Sequence, residues 1–426
     1  MSTEFPRMLG IRQKYPHAAP LDILATLRRE LELQGILRHI KPRARIAVAT
    51  GSRGITNIQI VVASVIELLK QAGAAPFVIP AMGSHGGATP EGQAGVLAEY
   101  GITEATVKAP INAAMEVEQI GSTEAGVPVY LSAEALRADG IVVVNRVKPH
   151  TDFSGAIGSG ILKMLVIGLG KRTGAAAFHQ AASRLGYERV IRSIARITLK
   201  SAPILCGVAL VENQLHETAK IAVLNPGELE RREEELFAEA QRLMPKLPFN
   251  EIDLLIVDRV GKNISGAGMD PNIIGRGIHG YSSFLGNQTQ AGPNIRRIFV
   301  QELTPETHGN AVGIGFADFT TARLVRSIDY KVTAVNALTA LTPQSAKVPI
   351  HFDTDREAIY QALVSLALPD LRQAKVMRIA DTLSLARLEV SEAYQESIRQ
   401  DGNLETANGA EELRFDAEGN LLPLRA

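Results

Sequence analysis

Arg45-Ile46-Ala47-Val48-Ala49 runs directly into Thr50-Gly51-Ser52-Arg53-Gly54. The first five residues read as a buried strand, and the polar, glycine-bearing run after them reads as a loop. Apolar positions at helical spacing follow over 57–71, with Gly73 as the stop. A second strand, 76–80, empties into Met82-Gly83-Ser84-His85-Gly86-Gly87-Ala88. Thr89-Pro90 then opens another helix, with Thr as the N-cap and Pro at the first helical position, where a missing N–H is harmless. A third unit has a helix near 132–137, a strand at 140–145 and the loop Arg146-Val147-Lys148-Pro149-His150. Strands alternating with helices predict a mostly parallel sheet covered on both faces. In such sheets ligands bind beyond the carboxyl ends of the strands. All three loops follow strand ends, and each carries a cationic or imidazole side chain.

Downstream, helices are expected at 174–186 and 188–200, strands at 203–211 and 220–224, and a charged helix at 227–243. Pro245-Lys246-Leu247-Pro248 resists regular structure and reads as a linker. A new strand at 253–257 starts a second α/β unit, with a glycine-rich loop over 261–280 and further strands at 297–303 and 375–380. Thr354-Asp355-Arg356-Glu357 fits a capping box for a helix ending near 366. The tail after 383 shows a helix pattern, then a hairpin signal around 416–420. At 426 residues the chain exceeds the roughly 250–300 residues that one core serves. The expected fold is therefore α/β with two domains, each a mostly parallel sheet flanked by helices, and an interdomain cleft. The expected domains are 1–247 and 248–383, with the tail 384–426 packing back on the first.

Lys+Arg and Asp+Glu both number 45, which argues against nucleic acid or an acidic membrane surface as partner. One cysteine, Cys206, excludes an intramolecular disulfide and a cysteine-cluster metal site; in its apolar run it reads as a buried small hydrophobe. No signal-peptide pattern and no apolar run of about 18 residues occurs, so a cytoplasmic protein is expected.

The segment richest in chemistry runs from Lys148-Pro149-His150-Thr151-Asp152-Phe153-Ser154-Gly155 through Gly158, Gly160, Lys163 and Lys171-Arg172 to His179. Glycines let backbone N–H groups approach a ligand, and nearby cations favour phosphate. The same pattern also serves plain loop-on-helix packing. Neither a Walker loop nor a well-placed Rossmann fingerprint is present; the one G-x-G-x-x-G match, 275–280, closes a long loop. Lys163 is flanked by Ile161-Leu162 and Met164-Leu165. Such a lysine either snorkels to solvent or, beside a ligand, becomes a nucleophile. His85 and His150 lie just past strands, where an imidazole suits acid/base work near neutral pH. His179 falls within a helix that offers no second ligand four residues on, which disfavours a metal site built of protein ligands alone.

Taken together, Gly83-Ser84-His85 before Ala88-Thr89-Pro90-Glu91, Val147-Lys148-Pro149-His150 before Phe153-Ser154-Gly155, and Lys163 sixteen residues before His179 resemble the nickel-pincer-nucleotide lactate racemase family. The resemblance spans about 45–186 clearly. It implies that Lys163 carries the nickel-pincer nucleotide (a pyridinium-3,5-bisthiocarboxylic acid mononucleotide) covalently and that His179 ligates nickel. It further implies that His85 and His150 are paired acid/bases on either side of a 2-hydroxy acid, whose C2 hydride leaves to the cofactor and returns on either face. Arg53 resembles the family's carboxylate-holding arginine, an apt choice because guanidinium pairs bidentately. Lys262, in Gly261-Lys262-Asn263, resembles a second-domain lysine that reaches the substrate. Thr50, Gly158, Gly160 and Lys171 are the remaining expected cofactor contacts. Thr50 stands where the family has an acidic residue, the interval from His150 to Lys163 is longer, and the second-domain loop is longer. These departures point to a divergent branch acting on a hydroxy acid other than lactate. The competing readings are a nucleotide-dependent oxidoreductase and a small-molecule-binding α/β protein without the cofactor.

Overall fold

The computed structural model describes residues 5–51, 54–151, 153, 155–277 and 292–425. They fall into two compact units: His17–Met244 forms one, and the stretch ending at Pro16 joins the described residues from Pro245 onward in the other.

Strand β1 (Met8–Gln13) precedes the first unit in the chain but pairs in the second. The first unit contains β2 (Arg45–Thr50), β3 (Ala75–Pro80), β4 (Val117–Ser122), β5 (Pro128–Ser132), β6 (Gly140–Arg146), β7 (Ile204–Glu212) and β8 (Thr218–Leu224). Its main sheet has the order β3-β2-β6-β7-β8. The first four strands are parallel and β8 is antiparallel to β7, while β4 and β5 form a separate hairpin. Successive residues of a strand point to opposite faces, and here both faces are buried. Ala47, Ala49, Ile141 and Val143 meet Phe178, Val190, Ile194, Leu236 and Phe237 from the helices Lys171–Leu185, Tyr187–Ser201 and Leu229–Arg242. Ile46, Val48, Val142 and Val144 meet Leu27, Leu31, Val61 and Val65 from Ile23–Leu33 and Ile58–Gln71. Two-sided burial explains why these strands read as unbroken apolar runs. Cys206 is fully buried in β7, and burial pushes its thiol up to about 12, so it behaves as an unreactive hydrophobe.

The second unit contains β9 (Glu251–Val260), β10 (Asn294–Leu303), β11 (Phe319–Thr321), β12 (Ile350–Phe352), β13 (Val376–Ile379), β14 (Arg387–Ser391) and β15 (Leu404–Thr406). The sheet order is β12-β11-β10-β9-β13-β14-β1-β15. From β12 to β13 the strands are parallel, and β14, β1 and β15 continue antiparallel. Thr354 caps the helix Asp355–Val364, accepting the Glu357 N–H at 3.1 Å.

Two placements differ from the sequence reading. The N-terminal strand lies in the second sheet, with Leu9 opposite Val390, and the tail strand β15 extends that same sheet beside β1. The physical reason is edge completion: without β14 and β1, β13 would expose a row of unpaired backbone groups. Met8, Leu9, Ile11, Leu388 and Val390 are all buried in making that join.

Candidate functional site

In the first unit β2 has β3 on one side and β6 on the other, so the strand order reverses beside β2, and open α/β sheets bind ligands at such a point. Beyond it lies Ile161–Lys163, a single helical turn that passes into a π-helical turn, Met164–Gly168. The i→i+5 bond from Leu169 N to Met164 O is 2.8 Å long, and π turns recur at functional sites. Three loops close on this segment. After β2, the backbone at Gly51 packs against the Asn145 amide and the Met164 sulfur. After β3, Gly83 N donates to Gly168 O at 3.4 Å. After β6, Lys148 and Ser159 exchange two backbone bonds of 2.8 Å, and Asn145 Nδ2 donates to Gly160 O at 3.0 Å.

Lys163 and His150 meet here. Lys163 Nζ lies 2.7 Å from His150 Nε2 and 3.3 Å from Ser159 Oγ. A bond between two nitrogens requires one to bring a lone pair, so this pair shares a proton. His150 is buried and stacks on Phe153 at 4.7 Å between centroids. Phe153 stacks in turn on Tyr187 at 5.3 Å. The Tyr187 ring is 6.2 Å from the His150 ring and 6.3 Å from the His179 ring, so a single aromatic side chain borders both imidazoles. Lys163, His150 and His179 thus occupy one neighbourhood, and the loop of His85 abuts the end of the same π turn.

A carboxylate orders this segment from below. Glu233, fully buried on Leu229–Arg242, accepts the Leu162 N–H through Oε2 at 2.9 Å. This satisfies one of the amide groups that a helix start leaves unpaired. Burial pushes the Glu233 carboxyl up to about 7, with the Leu162 and Ile161 amides opposing. Gly160 and Gly158, expected as cofactor contacts, pack closely against protein atoms. A Cβ at Gly160 would lie 2.2 Å from Glu233 Oε1, and one at Gly158 would lie 2.4 Å from Lys148 O and 2.5 Å from Phe237 Cε2. The close approach these glycines permit is of the chain to itself. Gly160→Ala is accordingly expected to destabilise the fold by about 1–3 kcal/mol in a denaturant melt. Gly227→Ala, with open space around it, is the control that stays near wild type.

The remaining expected residues are placed as follows. The Thr50 hydroxyl is enclosed at the end of β2 without a hydrogen-bond partner among the described residues. Lys171, expected near a phosphate, is instead 1% exposed and turned inward. Its ammonium donates to Pro80 O at 2.7 Å and Gln93 Oε1 at 3.1 Å, and burial lowers its pKa to about 8 while Glu116 opposes. Lys262 follows β9 in the other unit and donates to Gly266 O at 2.5 Å. Arg53 lies outside the described residues, as do Asp152, Ser154 and the last residues of the 275–280 glycine motif.

Sequence reasoning missed Glu233, Gln93, Asn145 and Tyr187. Glu233 did leave a signal: it occupies the stripe of Leu229, Leu236, Phe237 and Ala240, the face of a charged helix that turns inward. Among the described residues no group of three His, Cys, Asp or Glu could hold a metal ion, and no helix is long and apolar enough to cross a membrane.

Residues 16–188 match the lactate racemase N-terminal domain. The chain carries a lactate racemase-like N-terminal domain. The match takes in β2, β3 and β6, their three loops, Lys163 and His179, and stops short of Glu233. Over 89% of its length this lactate racemase-like chain superposes on 99% of the lactate racemase apoprotein from Thermoanaerobacterium thermosaccharolyticum, with a TM-score of 0.51 at 14% identity. At that identity the likeness is one of fold. No curated protein matches it by sequence.

Proposed function

We propose that this lactate racemase-like chain racemises or epimerises a 2-hydroxy acid, with His85 and His150 as the paired acid/bases. The observation that carries the reading is the 2.7 Å contact between Lys163 Nζ and His150 Nε2, at a strand-order reversal within the lactate racemase N-terminal domain match. A nickel-pincer nucleotide would be held by Lys163 through its amine and by His179 through the metal. The donor set fits such a group. Lys163 Nζ lies 2.7 Å from His150 Nε2, an imidazole nitrogen placed to take the proton that covalent attachment of the amine releases. His179 would supply one imidazole to a metal brought in by the nucleotide. When bound, the group would accept and return the C2 hydride.

The chain's own residues do the rest. A histidine beside the substrate hydroxyl removes its proton as the carbonyl forms and gives it back as the alcohol is restored. Two are needed because the enantiomers present that hydroxyl from different sides. Imidazole can do both near neutral pH. Arg53 is the proposed carboxylate contact, since guanidinium pairs bidentately.

The test is to express the chain in a host that makes the pincer nucleotide. Intact mass and nickel content are then measured, and each enantiomer of a panel of 2-hydroxy acids is followed by chiral chromatography. A cofactor-sized mass increase mapped to Lys163, with nickel and racemisation, is the expected result. An unmodified, nickel-free protein from that host overturns the reading and leaves a small-molecule-binding α/β protein.

A further inference from the structure

Beneath the His85 loop lies a buried chain of hydrogen bonds that the reaction does not itself require. Lys171 opens the helix Lys171–Leu185 with φ of +54°. A side-chain-bearing residue rarely adopts that region without compensation. Its ammonium binds Pro80 O, where β3 ends, and Gln93 Oε1. Gln93 is fully buried on the helix Pro90–Glu99. Its amide nitrogen donates to Gly83 O at 2.9 Å and His85 O at 3.4 Å. The bonds therefore end on the first residue before the His85 loop, within it, and on His85 itself.

We propose that Lys171 and Gln93 are positioning residues that act together to hold the His85 loop in one conformation. This rests on the reading of His85 as an acid/base. The loop has the freedom that such a brace removes: Gly83, Gly86 and Gly87 all have positive φ, which leaves the backbone many alternatives. A proton-transfer group tolerates little wandering, since a displacement of about 1 Å can lower turnover about 100-fold. Only a side chain with both an acceptor and a donor can occupy the Gln93 position. The acceptor takes the lysine N–H, and the donor reaches the loop carbonyls. A buried ammonium that lost its acceptor would also be strongly unfavourable, which couples the two residues.

The test compares Gln93→Leu, Gln93→Glu, Lys171→Met and the double variant Lys171→Met/Gln93→Leu. The His85 ring signal in the histidine NMR spectrum is identified by its loss in His85→Gln. It is expected to shift or broaden in Gln93→Leu and Lys171→Met, while the His150 and His179 signals stay in place. Gln93→Glu keeps an acceptor for Lys171 but loses the donor to the loop, so its His85 signal should follow that of Gln93→Leu. In the loaded enzyme kcat should fall about 10- to 100-fold with KM within about threefold. The double variant should be no worse than the poorer single one, as expected for groups acting as a unit. A His85 signal that stays put in Gln93→Leu or Gln93→Glu, or fully additive losses, overturns the proposal. A moved His85 signal with unchanged kcat upholds the brace and instead removes His85 from the chemistry. Lys171→Met, which replaces a buried charge with an apolar chain of similar length, covers the case in which a Gln93 variant fails to fold.

Discussion

Changing His150 to glutamine is expected to lower racemisation by about 100- to 10,000-fold, and equally from either enantiomer. His150 is held by stacking on Phe153 and by its contact with the Lys163 amine, so its ring has a defined place. The equal loss follows from microscopic reversibility. In the proposed reaction the histidine that deprotonates one enantiomer reprotonates the product of the other, and removing it closes both directions. His85→Gln is expected to give the same pattern. Lys163→Arg keeps a basic side chain beside His150 but removes the amine proposed to carry the cofactor, so it should lose the covalent mass increase as well as activity, whereas the histidine variants should retain that mass. Initial rates from each pure enantiomer, with intact mass on the same samples, check this. Wild-type rates in either direction for His150→Gln would remove the residue from the mechanism.

The second large effect concerns stability. Glu233 has an ordinary carboxyl pKa when unfolded and one raised to about 7 when folded. A carboxyl whose folded pKa is raised contributes fully below its unfolded value, because both states are then protonated. As pH rises from about 4.5 to 7 the unfolded chain ionises first and stability falls. The slope is about 1.4 kcal/mol per pH unit and the total about 3 kcal/mol. Glu233→Gln keeps an oxygen for the Leu162 N–H and has no charge to bury. The variant should therefore match wild type near pH 4 and exceed it by up to about 3 kcal/mol at pH 8. Urea melts at a series of pH values read this directly. Parallel curves for the two proteins would show that Glu233 does not titrate in this range.

Much of this architecture was legible from residue patterns. The strands at 45–49, 76–80 and 140–145 were plain because both of their faces are buried, which makes every position apolar. Thr89-Pro90 and Thr354 announced helix starts through side-chain chemistry confined to one turn. The short strands β11, β12, β14 and β15, of three to five residues, were not legible, because so few positions carry no measurable period. The pairing of β1 with β14 joins residues nearly four hundred positions apart, and nothing local encodes such a partner.

For the candidate site the division is similar. His85, His150, Lys163 and His179 could be named in advance because their residue types, loop positions and spacing are properties of the linear chain. That sequence also determined the alternation of strand and helix that carries the loops of His85 and His150 to one end of a sheet. Only the tertiary structure decided which side chains meet. It set Lys163 against His150, turned Lys171 inward to Gln93, and packed Gly158 and Gly160 against Phe237 and Glu233. The physical reason is that burial and hydrogen-bond partnership are set by what packs across the sheet. A lysine's amine reaches solvent, a ligand or a buried carbonyl according to neighbours that lie scores of residues away.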